Sequence, residues 1–269
     1  MIDLAAYFAR IGYDGPRTAT HDTLTALVRA HVGAIAFESL DPFLGRGVAI
    51  DPASLEAKLV RQARGGYCFE QNGLLFAVLT ALGYSVTPLA GRVRWMLPDE
   101  APPSPLSHML LLVHLSEGDF LCDVGFGGQS PTAPLRLAPG AEQQTPHGTY
   151  RLVHSDDVFG LEMQLPEQWA PMYRFRLEKQ APRDYEVFNW YTATHPASRF
   201  VNNCIAARVV GESRIALFNR EFTRREGDIV THTTIIETAG ELHRVLDEQF
   251  GLEIEREAIE RNWARLPGI

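Results

Sequence analysis

Arg64-Gly65-Gly66-Tyr67-Cys68-Phe69-Glu70-Gln71-Asn72 is the stretch around which the rest of the chain is organised. Two glycines break the backbone, a cysteine follows at once, and then comes the apolar run Gly73-Leu74-Leu75-Phe76-Ala77-Val78-Leu79-Thr80-Ala81-Leu82, closed by Gly83. That run is long enough for a buried helix and too short to span a membrane. Gly83 is a suitable helix stop, because glycine tolerates the left-handed position after the last turn. Cys68 therefore falls in the first turn of a core helix, where free N–H groups and the positive end of the helix dipole face its sulfur. Such a position favours the nucleophilic thiolate. A plain packing role is the commoner fate of a lone cysteine, but packing needs neither a Gly-Gly turn nor Arg64 and Glu70 close by.

Upstream of this stretch the chain reads as helices. Asp3 caps a first helix with Leu4, Tyr7, Phe8 and Ile11 on one face and Gly12 as its stop. A second helix runs from about Asp22, with Leu24, Leu27, Val28 and His31 at helical spacing and His31 flanking the core. Phe37-Glu38-Ser39-Leu40-Asp41-Pro42 is a turn-rich connection, and Asp51-Pro52 reads as N-cap and first residue of a third helix that ends at Gly65-Gly66. Residues 1–85 are thus expected to form a helical bundle that carries the cysteine. Arg64 and Glu38 are expected to form a buried or half-buried ion pair that fixes the turn before Cys68, a structural role.

Downstream the period changes to that of strands. Val86 to Trp95 is strand-like, Pro98 to Pro105 is a loop, and two apolar strands flank Gly118. Further short strands cover Tyr150–Val153, Leu161–Leu165 and Met172–Leu177, and a short helix covers Asp184–Tyr191. Many short strands with turn signals suggest a small barrel or sandwich. The tail reads as strands near Cys204–Val210, Arg214–Asn219 and Val230–Ile236, then two amphipathic helices near Glu241–Phe250 and Ile254–Leu266. The expected class is α+β, in three segments: 1–85, a barrel-like 86–190, and an α/β lid, 191–269.

A nucleophilic cysteine needs a base, and the base needs a group to orient it. Of nine histidines, His108 opens the apolar strand Ser107-His108-Met109-Leu110-Leu111-Leu112-Val113-His114-Leu115. Asp123 sits inside the next buried run, Phe120-Leu121-Cys122-Asp123-Val124-Gly125-Phe126-Gly127-Gly128, and a buried acid requires a partner. His108 and Asp123 could bond to each other; a surface histidine and a backbone-bonded aspartate is the competing arrangement. A two-residue turn at Glu117-Gly118 pairs Asp123 with Leu112, on the face of His108 but roughly 13 Å along at ~3.3 Å per residue. A direct bond then requires a different turn, a bulge or a different neighbour relation, and spacing leaves these open.

Taken together, RGGYCFEQN, SHMLLLV and DVGFGGQ, with Ala36-Phe37-Glu38-Ser39-Leu40-Asp41 upstream and Tyr191 to Phe200 downstream, closely resemble the arylamine N-acetyltransferases. The resemblance runs to about Asn203 and weakens in the last third. Ser107 stands where the family pattern has threonine, and the hydroxyl is kept. The resemblance implies a Cys68–His108–Asp123 triad arranged as in cysteine proteases and transglutaminases. It also implies ping-pong acetyl transfer from acetyl-coenzyme A to an aromatic amine or hydrazine. Phe37, Phe126 and Phe200, core aromatics by default, would line the acceptor pocket, with Val93 and Trp95 beside the same cleft. Backbone N–H groups at Gly127 and Gly128 could meet the coenzyme's phosphates, the alternative being a plain strand end. No metal is needed. Rival readings are a macrocycle-forming amide synthase of the same family and a cysteine hydrolase or transglutaminase-like enzyme.

Composition narrows the class without choosing the chemistry. A net charge of −8 argues against a general nucleic-acid binder and against an anionic membrane surface. Cys68, Cys122 and Cys204 are too widely spaced for a disulfide framework or a zinc site, and Cys122 and Cys204 read as core. A working thiolate fits a reducing cytosol, and Met1-Ile2-Asp3-Leu4 does not open a signal peptide, so a cytoplasmic location is expected. His195 before Pro196 reads as structural and the remaining histidines as surface residues.

Overall fold

The computed structural model describes residues 2–98 and 100–267. Helix α1 (Leu4–Ile11) starts on Asp3, whose carboxylate accepts the Ala6 N–H at 3.0 Å, and it stops at a left-handed Gly12. Helix α2 (His21–Ala34) starts on Thr20. Strand β1 (Phe37–Glu38) and helix α3 (Leu40–Phe43) occupy the connection that reads as turns. Helix α4 (Pro52–Leu55) opens on Asp51 as expected but widens into a π-helical segment, Glu56–Arg61. Helix α5 (Cys68–Ala81) follows with Cys68 as its first residue. Helix α5 is buried along most of its length, and Phe69, Leu74, Leu75, Val78 and Leu79 are core residues.

The Gly-Gly turn has a steric reason. Gly66 lies beside β1, with the Gly66 N–H donating to Ala36 at 3.3 Å and the Glu38 N–H to Gly66 at 3.0 Å. A side chain at Gly65 would bring its Cβ to 2.2 Å from the Ala36 carbonyl oxygen. Only glycine lets the chain leading into α5 run this close to another backbone.

Strands β2 (Ser85–Val93), β3 (Leu106–Leu115), β4 (Gly118–Cys122), β5 (Leu135–Arg136), β6 (Glu142–Thr145), β7 (Gly148–Ser155), β8 (Val158–Gln164) and β9 (Trp169–Phe175) form one antiparallel sheet. Its order is β5-β4-β3-β2-β9-β8-β7-β6. The two edges are joined by a side chain. The Gln143 amide accepts the Arg136 N–H at 2.7 Å and donates to the Arg136 carbonyl at 2.9 Å, standing in for a missing ladder pair. The sheet is a nearly closed barrel around Leu89, Leu110, Leu121, Tyr150, Leu161 and Tyr173.

Helix α6 (Pro182–Thr194) begins earlier than expected because Pro182 takes its first position, and it runs through the expected division at 190. After α7 (Arg199–Asn202) come β10 (Ile205–Val210), β11 (Ser213–Phe218), β12 (Glu221–Glu226) and β13 (Ile229–Ile235). They form a second sheet with β1 at one edge, in the order β1-β10-β11-β12-β13. Strand β12 carries no strand signal in the sequence, because Glu221-Phe222-Thr223-Arg224-Arg225-Glu226 shows one apolar residue and four charges, as a hairpin strand with an open face allows. Helices α8 (Ala239–Phe250) and α9 (Arg256–Asn262) pack Leu242, Leu246, Phe250 and Ile259 against this sheet. Among the described residues no helix is long and apolar enough to cross a membrane.

Candidate active site

The register that spacing left open is fixed by the turn. Ser116 and Glu117 form it, one residue earlier than expected, so Leu115 pairs with Gly118 and Leu111 with Cys122. Carrying the ladder one residue further sets Asp123 beside Leu110, two residues from His108 rather than four. Diagonal neighbours on one face are about 7–8 Å apart at Cα, within reach of an imidazole and a carboxylate. His108 Nε2 lies 2.6 Å from Asp123 Oδ2.

Helix α5 brings Cys68 to the same place. Cys68 lies close enough to the His108 ring to help hold its proton, and its Sγ is 3.5 Å from the carbonyl oxygen of the preceding Ser107. Because Nε2 serves Asp123, Nδ1 is the nitrogen left to face the sulfur. Cys68 is 2 % exposed, His108 3 % and Asp123 1 %. At Gly125 an added Cβ would stand 2.7 Å from Cys68 Cα and 2.8 Å from Asn72 Nδ2. The chain after Asp123 therefore passes directly over the helix start, which a side chain would prevent.

Burial alone would drive the His108 proton off and raise the Asp123 carboxyl. The charges outweigh it. The Asp123 charge and hydrogen bond, reinforced by Cys68, push His108 up to about 10. His108, Asn72 and the Gly125 N–H together hold Asp123 below the usual carboxylate range despite its burial. The pair is an imidazolium and a carboxylate in a nearly dry site.

Asn72 joins the site although the sequence assigns it no role beyond its place in the motif. Its Nδ2 donates to Asp123 Oδ1 at 2.9 Å and to the Met109 carbonyl at 2.7 Å, and its Oδ1 accepts the Val124 N–H at 3.0 Å. The signal was present, since Asn72 is four residues after Cys68 and so on the same helix face. Tyr173, with its ring centroid 4.8 Å from that of His108, had no local signal, because it arrives from β9 through the register Val93↔Tyr173.

The expected aromatic walls divide into two groups. Phe126 lies beyond the end of β4, and its ring meets His108 at 5.3 Å, Tyr173 at 5.5 Å and Trp95 at 6.3 Å between centroids. The ring turns back towards His108 because the strand ends before it. Val93 closes β2 opposite Tyr173, and Trp95 follows it, with its N–H bonded to the Met172 carbonyl at 3.1 Å. In the other group, Phe37 meets Phe200 at 6.0 Å and Phe200 meets Tyr67 at 5.5 Å. Gly127 joins the two, for it follows Phe126 and its missing Cβ would stand 3.3 Å from the Phe37 ring. The Gly128 carbonyl accepts from Arg214 at 3.0 Å.

Arg64 donates to Glu38 through Nε at 3.0 Å and Nη2 at 2.7 Å, as expected, and also reaches Asp41 at 3.3 Å. Cys122 and Cys204 are fully buried, and burial pushes the Cys204 thiol up to about 12. His195 is half-buried, stacked on Tyr191, and accepts the Ala197 N–H at 3.2 Å. Two histidines depart from expectation. His31 lies in the core rather than at its flank, and His147, expected at the surface, is buried with bonds to Thr132 and Gly211. Among the described residues no cluster of His, Cys, Asp and Glu is arranged to hold a metal.

The N-acetyltransferase family profile matches residues 20–259. An arylamine N-acetyltransferase of Mycobacterium tuberculosis is 43% identical over 279 aligned positions that cover 99% of this chain and 98% of that one. The solved arylamine N-acetyltransferase of Mycobacterium marinum superposes with a TM-score of 0.95 at 39% identity, covering 98% of this chain and 99% of that chain. The same M. marinum protein in complex with CoA gives a TM-score of 0.95, over 99% and 100% of the two chains. With profile, relatives and solved structures agreeing along nearly the whole length, this chain belongs to the arylamine N-acetyltransferase family.

Proposed function

We propose that the protein transfers the acetyl group of acetyl-CoA to an aromatic amine or hydrazine through an acetyl-Cys68 intermediate. The observation that carries this reading is His108 standing between Cys68 and Asp123 at the start of a buried helix. The Cys68 thiolate attacks the thioester carbonyl, forming the C–S bond to the enzyme. N–H groups at the start of α5 face the developing oxyanion. As the carbonyl re-forms, the coenzyme sulfur leaves and takes a proton from imidazolium His108. The acceptor amine then attacks the acetyl-Cys68 carbonyl, neutral His108 takes the amine proton, and Cys68 departs as thiolate. Asp123 keeps the imidazole in one tautomer and stabilises its charged form through both half-reactions.

The acceptor would lie among Phe126, Val93 and Trp95 on one side and Phe37 and Phe200 on the other, since flat aromatic walls suit an aryl ring. Gly127 and Gly128 are where the coenzyme would pass the acceptor wall. A peptide hydrolase requires an open groove, and the burial of Cys68 and His108 disfavours it. The free state of all three cysteines supports a cytoplasmic location, and the charge of −8 supports small-molecule partners over nucleic acid.

The test is mass spectrometry after mixing with acetyl-CoA and no acceptor. The expected product is a protein heavier by one acetyl group, mapped to Cys68 and discharged on adding an aniline. A wild-type protein that stays unmodified, or a Cys68→Ala variant that still turns over, would end this reading.

A further inference from the structure

Beneath the turn that leads to Cys68 lies a chain of five alternating charges, from Glu38 through Arg64, Asp41 and Lys58 to Glu70. Lys58 Nζ is 2.6 Å from Asp41 Oδ2 and 2.6 Å from Glu70 Oε1. Glu70 is 1 % exposed, and its other oxygen accepts the N–H of Tyr67, the N-cap of α5, at 3.1 Å. Its side chain also fills the space a Cβ at Gly66 would need, with Oε2 at 2.7 Å. Glu70 therefore clasps the first turn of the nucleophile helix, and it does so with a charge two residues from Cys68. A negative charge there opposes a thiolate and offsets the helix dipole.

The supporting backbone is unusual at the residue that answers this charge. Lys58 lies in the π-helical segment, where the Gln62 N–H reaches the Ala57 carbonyl at 2.9 Å and the Arg64 N–H reaches the Lys58 carbonyl at 3.0 Å. Single widened turns of this kind cost regular hydrogen bonding and recur at functional sites. Here the widened turn presents a largely buried ammonium to both carboxylates.

We propose that Lys58 is a positioning residue: it neutralises Glu70, so that the carboxylate can clasp the Cys68 turn without leaving an unanswered negative charge in the first turn of the helix that carries the sulfur. Glu70 is faced by Lys58 of the π-helical segment, Glu38 of β1 and the backbone of Tyr67, with Asp41 of α3 and Arg64 next along the chain of charges. Burial raises the Glu70 carboxyl to about 7, against the pull of Lys58 and with a push from Glu38. Lys58, despite its own burial, is held charged by Glu70, Glu38 and Asp41. Without Lys58, Glu70 would ionise only at higher pH and would then leave a bare charge in the first turn of α5.

The proposal rests on the reading of Cys68 as nucleophile, so its test reads thiolate reactivity directly. Iodoacetamide alkylation of Cys68 is followed by peptide mapping across pH in wild type, Lys58→Met, Lys58→Arg and the double variant Lys58→Met/Glu70→Gln, with melting recorded for each. In Lys58→Met the pull that lowers Glu70 is lost and its ionisation moves to higher pH, so the Cys68 rate is expected to stay within about threefold of wild type up to pH ~8 and to fall about tenfold near pH ~9.5. Glutamine accepts the Tyr67 N–H without charge, so the double variant recovers the alkaline rate, and Lys58→Arg stays near wild type. Equal slowing at every pH in both Lys58→Met variants, tracking a lower melting temperature, would mean Lys58 only packs, and the proposal falls. Were wild-type Cys68 alkylated no faster than Cys122 and Cys204, the nucleophile reading would fail first, and this proposal with it.

Discussion

Two buried histidines are tied to helix α5, and they are held in opposite charge states. His31 accepts from the Tyr7 hydroxyl at 2.9 Å through Nδ1 and donates to Gln71 Oε1 at 2.7 Å through Nε2. The Gln71 amide passes the chain on to the Ala36 carbonyl at 2.8 Å and the Gly66 carbonyl at 3.2 Å. His108, reached from α5 through Asn72 and Asp123, faces a carboxylate instead. Burial drives His31 down to about 4, with Gln71 opposing only in part, whereas His108 rises to about 10. Depth in the fold therefore does not set the charge of a histidine; one carboxylate oxygen does. One helix uses adjacent residues, Gln71 and Asn72, to serve a neutral structural imidazole and a charged one at the active site.

The comparison breaks most sharply at Asp123. Asp123→Asn gives His108 the neutral surroundings of His31, and transfer to an aniline is expected to fall at least about a hundredfold, the direction set by loss of imidazolium stabilisation and of the correct tautomer. kcat/KM together with the His108 ring titration by NMR checks this, and an unchanged rate would remove Asp123 from the mechanism.

The next effect is on stability in acid. Between about 4 and the ordinary imidazole value of 6.5, the unfolded chain binds a proton at His31 and the folded chain does not. Unfolded protein then holds more protons, so stability rises with pH through this window and is lost as pH falls. Across the window this one group contributes about 3 kcal/mol, which urea unfolding from pH ~7 to ~4 reads as a slope that His31→Phe reduces.

A smaller change tests the converse. Gln71→Glu puts a carboxylate beside His31, and its titration should move up towards the neutral range at a cost of about 1–3 kcal/mol from disturbed hydrogen bonds at Ala36 and Gly66. A His31 that stays neutral at pH ~6 in this variant would show that burial outweighs a nearby carboxylate. The smallest effect is expected at the ring covering His108. Phe126→Ser should reorder para-substituted anilines by several-fold, in line with ~0.5–1.5 kcal/mol for an aromatic contact, while acetyl-Cys68 forms at nearly the wild-type rate. A fall in the first step with the acceptor ranking fixed would move Phe126 out of the acceptor wall.

What could be read in the sequence follows the range of the physics. The caps at Asp3, Gly12, Asp51 and Pro52 and the helix behind Cys68 are local choices, and the chain shows them plainly. The His108–Asp123 bond depends on where a turn begins, and moving it by one residue changes the separation along the face from four residues to two. That shift leaves almost no trace in composition. The charge of His31 and the role of Tyr173 are set by what arrives from distant elements, so His31 read as a flanking residue and Tyr173 carried no signal. Lys58 was hidden for a different reason: an ordinary α-helix was expected across Glu56–Arg61, and the widened turn that aims the lysine has no sequence signature.

Strand β1 carries a consequence for the order in which the enzyme is made. Its two residues pair with Ala206 and Ala207 of β10 on one side and lie against Gly66 on the other. Phe37 and the turn before Cys68 thus lack a lateral support until the chain has been synthesised through β10 and its partner β11. A domain that grows from the N-terminus can form α1, α2 and α5 early, yet long-range pairing is slow and comes late. During translation helix α5 would exist before the turn at its start is locked, and that turn gains its lateral support only from the last third of the chain.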